Sequence, residues 1–270
     1  MHFLKAALLL ILPAALAACN DIDEENRFTG PVDVEAKKNV LIEDFTGQDC
    51  VNCPYAADAI HSLQDLYTSN RVVAVSIHGG SLSISEDDQY VTGLATPQGN
   101  DYTTHWGVRS FPKGMVDRTG GLLDYEMWSA QVISRFAVEP KVEIEAEQVS
   151  FDAGTRTVTL KAAVKAHTAV SGTLNVWLTE SHVIAIQAMP TGTYNYDYEH
   201  NHVFRRALSA AYGDPLTLDE EETQTKEYTY TLERDSWNAD NLSLVIFFEN
   251  GTDGVMQVID TPVLSTTHND

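Results

Sequence analysis

Residues 40–54 have the sequence VLIEDFTGQDCVNCP. They begin with a nearly continuous apolar run, which is typical of a buried strand. A polar turn follows, and the stretch ends in a C-x-x-C pair and a proline. Proline is favoured in the first turn of a helix, where its missing N–H is not needed. The stretch therefore predicts a strand, a turn and a helix that begins beside the two cysteines.

The C-x-x-C pair occupies a position that favours redox chemistry. A sulfur at the first turn of a helix lies near unpaired backbone N–H groups, which stabilise a thiolate. We therefore predict that Cys50 is the nucleophile and Cys53 the resolving thiol. A purely structural disulfide and half of a zinc site are the alternatives. Zinc is disfavoured because the chain has 3 cysteines and no second pair, so we expect no metal and no cofactor.

The flanking sequence changes character near Pro140. Residues 54–66 place apolar side chains at helical spacing, and residues 71–77 form another apolar run, which together predict a βαβ unit. After Pro140 the apolar residues alternate with polar ones, as in half-buried strands. We predict an α/β domain over residues 37–138, followed by an all-β, immunoglobulin-like sandwich domain over residues 139–270.

Two motifs resemble the thioredoxin superfamily. Residues 44–53 are similar to its active-site segment, and Gly107-Val108-Arg109-Ser110-Phe111-Pro112 is similar to the segment that carries its cis-proline. The resemblance implies a thioredoxin-like fold for the α/β domain, with Pro112 beside the redox pair. It also implies that Asp44 is a buried carboxylate that assists proton transfer. The alternative is that Asp44 is a strand-end acid satisfied by local N–H groups.

The C-terminal part of this domain fits the same resemblance, with two departures elsewhere. We expect a strand at Gly114–Asp117, a turn at Gly120-Gly121 and a helix near residues 125–136. A polar insertion over residues 79–105 is longer than the minimal fold requires, and it is either a lid over the C-x-x-C pair or a surface insertion. Asp49 precedes Cys50, and a carboxylate there disfavours a neighbouring thiolate.

The N-terminus resembles a bacterial lipoprotein signal. Leu16-Ala17-Ala18-Cys19 is similar to the lipobox that precedes a lipidated cysteine, and the apolar stretch before it is too short to span a bilayer. We predict a signal peptide at residues 1–18, lipidation of Cys19 and an acidic tether over residues 19–36. An ordinary secretory signal is the alternative. Acidic residues behind Cys19 also resemble a signal for export to the cell surface.

The whole arrangement resembles the 28-kilodalton outer-membrane lipoprotein family of Gram-negative anaerobes. The resemblance implies a lipid-anchored protein of the outer membrane. Two functions stay open: a thiol–disulfide oxidoreductase that acts on envelope proteins, or a non-catalytic, adhesin-like surface protein in which the C-x-x-C pair is a structural disulfide.

Composition and one polar cluster complete the predictions. The net charge of −22 disfavours nucleic acid as a partner. The segment 194–206 concentrates aromatic, histidine and arginine residues. On an extended segment His200 and His202 face the same way, so they and Arg205 form a candidate ligand surface. Metal binding and packing between the domains are the alternatives. The sequence does not indicate the oligomeric state.

Overall fold

Strands and helices alternate in the first part of the protein, whose computed structural model describes residues 36–263. The elements in chain order are β1 (Val40–Thr46), α1 (Cys53–Tyr67), β2 (Val72–His78), α2 (Pro97–His105), β3 (Lys113–Val116), β4 (Thr119–Leu123) and α3 (Trp128–Phe136). The predicted strand, turn and helix of residues 40–54 are therefore present.

After α3, the regular elements in the described residues are all strands, apart from a short 3₁₀ helix at Ala239–Asn241. They are β5 (Val142–Asp152), β6 (Thr157–Ala166), β7 (Val170–Glu180), β8 (Val183–Ala188), β9 (Tyr194–His200), β10 (Val203–Ala207), β11 (Asp214–Leu218), β12 (Thr223–Thr231), β13 (Leu242–Asn250) and β14 (Gly254–Pro262).

The main sheet contains parallel and antiparallel strands, and it combines strands from before and after Pro140. Its strand order is β14-β13-β7-β10-β2-β1-β3-β4, and β11 pairs with β7 at the same side as β10. Strand β2 is parallel to β1 on one side and to β10 on the other. Strands β12-β6-β5 form a separate antiparallel sheet, and β8-β9 form a two-stranded one. The strands expected after residue 139 thus contribute to the sheet of the α/β part.

The parallel strands are buried on both faces, which explains their continuous apolar sequence. One face of β1 packs Val40 and Ile42 against α1 and α3, and the other packs Leu41 and Phe45 against α2 and the later strands. Helix α1 directs Ile60 inward. Its buried face differs from the predicted one because Leu66, expected in the core, is 51% exposed.

A second apolar core lies between the β12-β6-β5 sheet and the later strands of the main sheet. It includes Leu160 of β6, Leu174 of β7 and Phe248 of β13, all fully buried. Side chains alternate between the faces of each strand, so each sheet presents one apolar face to this core.

The hairpin between β3 and β4 differs from its prediction. The turn lies at Asp117-Arg118, whose φ values are 51° and 55°, while Gly120 and Gly121 lie within β4. A two-residue hairpin turn requires positive φ at both positions, which aspartate adopts more readily than most residues. Buried partners also hold Asp117, which accepts from Lys38 Nζ at 2.5 Å and from Leu41 N at 2.9 Å.

Candidate functional site

The C-x-x-C pair lies at the start of α1, as predicted. Cys50 and Cys53 form a disulfide, Cys53 is the first residue of the helix and Pro54 follows it. Both cysteines are buried, with 2% and 3% of their surface exposed. A disulfide in this position can release a thiolate toward the helix N-terminus, but a protein substrate has little direct access to either sulfur.

The β8-β9 hairpin covers the turn that carries the disulfide. Gln187 of β8 donates from Nε2 to the carbonyl oxygen of Cys50 at 2.9 Å, and the backbone N–H of Ala188 donates to Gln48 O at 2.7 Å. From the start of β9, the Tyr194 hydroxyl donates to Asp49 Oδ1 at 3.1 Å. These contacts come from more than 130 residues away in sequence, and they were not predicted.

The insertion over residues 79–105 braces the same turn. Gln48 is fully buried, and its side chain donates to Thr92 O at 2.9 Å and accepts from the backbone of Leu94 at 3.0 Å. The insertion also contains α2, whose Tyr102 packs in the core against Trp177 and Phe204. The insertion is therefore part of the packed fold. The segment that contacts the Cys50 carbonyl is the β8-β9 hairpin instead.

Asp44 is a buried carboxyl group near the disulfide. It is 2% exposed, and Oδ1 has no hydrogen-bond partner among the described residues. Burial alone raises its pKa to about 8, so the group is mostly protonated at neutral pH. The alternative of a strand-end acid satisfied by local N–H groups does not account for Oδ1.

Pro112 shares a groove with Asn52, which lies between the two cysteines in the chain. The Phe111–Pro112 peptide bond is cis. Pro112 lines a groove of about 590 Å³ together with Asn52, Tyr55 and Met127. Neither cysteine lines this groove in the part of the chain that the structure describes.

A cavity of about 640 Å³ opens beside Cys53, between α1, the ends of β1 and β2, and the β8-β9 hairpin. Polar and titratable side chains dominate its lining. They are Asp44, Thr46, Cys53, Asp58, His61, Gln64, Ser76, His78, Ser181, His182, Gln187, Tyr198, Glu199, His200, Asn201 and His202, with Pro54, Ala57 and Ile60 as apolar neighbours. We call this space the Cys53 cavity.

Two buried histidines face each other at the Cys53 cavity. The rings of His78 and His200 are 5.4 Å apart, and both nitrogens of His78 and Nε2 of His200 lack partners among the described residues. Burial lowers the pKa of both, to about 4 for His200, so both are neutral at pH 7.

The predicted ligand surface is divided by the fold. His200 and His202 both line the Cys53 cavity, and His202 Nε2 lies 3.2 Å from Gln64 Oε1. Arg205 instead forms a buried ion pair with Glu180, with Nη2 to Oε2 at 2.7 Å. Within residues 36–263, no three histidine, cysteine or acidic side chains are arranged to hold a metal ion.

His78 is a site residue that sequence reasoning missed. It follows directly after the predicted strand 71–77, at the carboxyl end of a parallel strand, where α/β proteins commonly place ligand-binding groups. In the register, His78 is the partner of Thr46 at the end of β1. The position at the strand end could have identified His78 as a candidate. Its contact with His200 could not be predicted, because His200 belongs to a strand far away in the sequence.

The fold and the site define a mixed α/β protein in which a helix begins at a C-x-x-C disulfide and a buried acid lies near it. Residues 99–266 match the family of outer membrane protein Omp28. The chain belongs to this outer membrane protein family, which confirms the predicted family.

Solved structures support the fold. HBP35 of Porphyromonas gingivalis has a TM-score of 0.65 and 18% sequence identity, over 84% of this chain and 76% of that chain. This similarity shows a common fold. Spo0M, a sporulation control protein from Bacillus subtilis, covers 42% of this chain and 44% of its own, at 16% identity and a TM-score of 0.25, and carries no argument. No curated protein sequence matches at a significant level.

Proposed function

We propose that this outer membrane protein is a thiol–disulfide oxidoreductase with a thioredoxin-like site at Cys50 and Cys53. The observation that carries the proposal is Asp44. Burying a carboxyl group without a complete set of partners costs free energy, and a structural disulfide gains nothing from such a group. A neutral acid with a pKa of about 8 is suited to exchange protons with thiols, whose ordinary pKa is about 8.5.

The proposed reaction follows the geometry of the turn. In the reduced protein, the Cys50 thiolate attacks a substrate disulfide and forms a mixed disulfide, and one substrate thiolate leaves. In the fraction of molecules in which Asp44 is ionised, Cys53 then transfers its proton to the Asp44 carboxylate, and its thiolate attacks the Cys50 sulfur. The second substrate thiolate leaves, so the substrate disulfide is reduced and the protein dithiol is oxidised. Pro112 borders the groove in which a substrate backbone would lie beside Asn52 of the C-x-x-C turn.

Access to Cys50 requires movement of the β8-β9 hairpin, because this sulfur is buried. The hydrogen bonds from Gln187 and Ala188 to the turn are the contacts that must break first. Such gating suits an enzyme that reacts with selected partners rather than with any exposed disulfide.

The proposed location is the outer membrane, with anchoring through lipid on Cys19. Cys19 and the predicted signal peptide lie outside the described residues. Residues 36–263 contain no helix with the length and apolar character needed to cross a membrane. Cys19→Ala should release the protein from the membrane fraction or leave it unprocessed. Unchanged processing and membrane association in this variant would contradict lipid anchoring.

Trapping tests the proposed reaction. Cys53→Ser removes the resolving thiol, so covalent mixed disulfides with envelope proteins should accumulate on Cys50 and run as reducible bands in non-reducing gels. Cys50→Ser is the matched control and should trap few partners. Replacing Pro112 should change the captured set or its lifetime.

The buried cysteines favour a second candidate function. A surface-binding lipoprotein would keep Cys50 and Cys53 oxidised beneath the β8-β9 hairpin as a structural disulfide. In that case Cys53→Ser would capture nothing in the native envelope, and the wild-type disulfide would stay oxidised under all conditions that preserve the fold.

A further inference from the structure

We infer that the Cys53 cavity admits low-molecular-weight thiols, with a preference for those that carry an amino group, and that these small thiols reduce the disulfide from the Cys53 side. The inference rests on the proposed function and names a substrate class for it. Protein substrates, in contrast, would reach Cys50 only after the β8-β9 hairpin moves.

Access is the first argument. Cys53 lines a cavity of about 640 Å³. Cys50 is not part of this lining, and its carbonyl oxygen accepts a hydrogen bond from Gln187. The groove at Pro112 has neither cysteine in its lining among the described residues. A small thiol can therefore meet the disulfide from inside the cavity, where a folded protein does not fit.

Unpartnered polar atoms are the second argument. Asp44 Oδ1, both nitrogens of His78 and Nε2 of His200 are buried, without hydrogen-bond partners in the described residues, and all three residues line the cavity. Buried polar groups of native proteins nearly always have partners, so these atoms point to a polar ligand. The described residues do not provide a metal site, so the partners these atoms can take are ordered water or a small polar molecule that displaces it.

Charge is the third argument. Asp58 and Glu199 are exposed acids at the lining, and no lysine or arginine lines the cavity in residues 36–263. The buried histidines are neutral. Glu199 contacts Nδ1 of His182 at 2.8 Å, so Asp58 is the exposed acid of the lining that forms no ion pair in the described residues. An ammonium group is therefore attracted to the cavity and a carboxylate is repelled.

The exchange balances as follows. A thiolate attacks the Cys53 sulfur, the bond between the two protein sulfurs breaks, and Cys50 leaves as a thiolate that the first turn of α1 stabilises. A second thiolate attacks the small-molecule sulfur of the mixed disulfide and releases a small disulfide. The Cys53 thiolate takes a proton from the Asp44 carboxylic acid, and water then supplies a proton to the Asp44 carboxylate, while Cys50 stays a thiolate. Two small thiols are oxidised while one protein disulfide is reduced.

The test compares three reductants of similar size on the full chain in an uncharged detergent. They are cysteamine, 2-mercaptoethanol and mercaptoacetate, which are cationic, neutral and anionic. Reduction of the native disulfide is followed by mass spectrometry after alkylation. Rates are normalised to thiolate concentration and to the rate of each thiol with a small uncharged disulfide, which removes the differences in intrinsic nucleophilicity. We expect cysteamine to react about tenfold faster than mercaptoacetate. Equal rates would overturn the preference for an amino group.

Matched variants test the route. Ala57 lines the cavity and Ala59 of the same helix does not. Ala57→Phe should slow reduction by all three thiols about tenfold through occlusion, whereas Ala59→Phe should leave it unchanged. Equal rates in the two variants would overturn the cavity route and leave the oxidoreductase proposal standing.

Two substitutions that each remove one charge test the route a second time, without introducing a large side chain. Asp58→Asn should reduce the preference for cysteamine two- to threefold, on the order expected for one partly screened charge. Glu126→Gln at the Pro112 groove should not change it, and the reverse result would place attack at that groove. Failure of the proposed function has a different signature: the native disulfide then resists all three thiols and reacts only after unfolding in urea.

Discussion

Glu43 and Asp44 are adjacent acids of β1, both buried, on opposite faces of the main sheet. Glu43 accepts two hydrogen bonds of 2.9 Å from the guanidinium of Arg118, which also packs over the Trp177 ring at 5.5 Å. Asp44 faces the Cys53 cavity and has no partner for Oδ1 in the described residues. A buried acid with an ideal partner holds the fold together, whereas one without a partner points to chemistry.

The largest expected effect is the loss of stability when Arg118 loses the carboxylate of Glu43. Glu43→Gln leaves Arg118 buried with Glu249, at 3.3 Å, as its remaining charged partner and with one neutral amide oxygen in place of the carboxylate. The free energy of unfolding should fall by about 3 kcal/mol, measured by denaturant titration at pH 7. Glu145→Gln, a change of an exposed acid on β5, is the control. If the loss were no larger than that of the control, the Glu43–Arg118 ion pair would not stabilise the fold.

Asp44→Asn should stabilise the fold, the opposite of Glu43→Gln, and the size of the effect should depend on pH. The pKa of Asp44 is about 8 in the folded protein and near 3.8 when unfolded, so its contribution to stability falls as pH rises through this window. At pH 6 the variant should be more stable than wild type by roughly 3 kcal/mol. At pH 4 the two should be equal.

Parallel unfolding curves of the two proteins across pH 4 to about 8 test this directly. The difference between them isolates Asp44, because the buried histidines titrate in both proteins. Asp65→Asn, at an exposed acid of α1, should follow wild type. If Asp44→Asn did so too, Asp44 would be an ordinary solvated acid. Disulfide exchange should slow in Asp44→Asn although the fold is stabilised.

The smallest expected effect concerns the cover over the disulfide. Gln187→Ala removes the side-chain hydrogen bond to the Cys50 carbonyl, worth about 1 kcal/mol. Alkylation of Cys50 in the reduced protein should therefore accelerate roughly fivefold. Gln148→Ala on β5 is the matched control. An unchanged rate would mean that the β8-β9 hairpin does not limit access, and that Asp44 rather than the cover controls reactivity.

Local sequence patterns anticipated the elements around the site. The apolar run, polar turn and Pro54 predicted β1 and the start of α1, and alternation identified strands after residue 139. The same reasoning missed β8 to β11, because several of these strands are short or polar. It also placed the hairpin turn at Gly120-Gly121, since composition favours glycine, although buried contacts fix the turn at Asp117-Arg118.

The family, the order of strands and helices around the disulfide, and the position of Asp44 in a buried strand were predictable from local sequence. These features follow from residues close together in the chain. Three contacts depend on the folded chain instead: Gln187 on the Cys50 carbonyl, His78 beside His200, and β10 paired with β2. Such contacts join segments more than 100 residues apart, and their geometry depends on the packing of the whole sheet rather than on any local pattern.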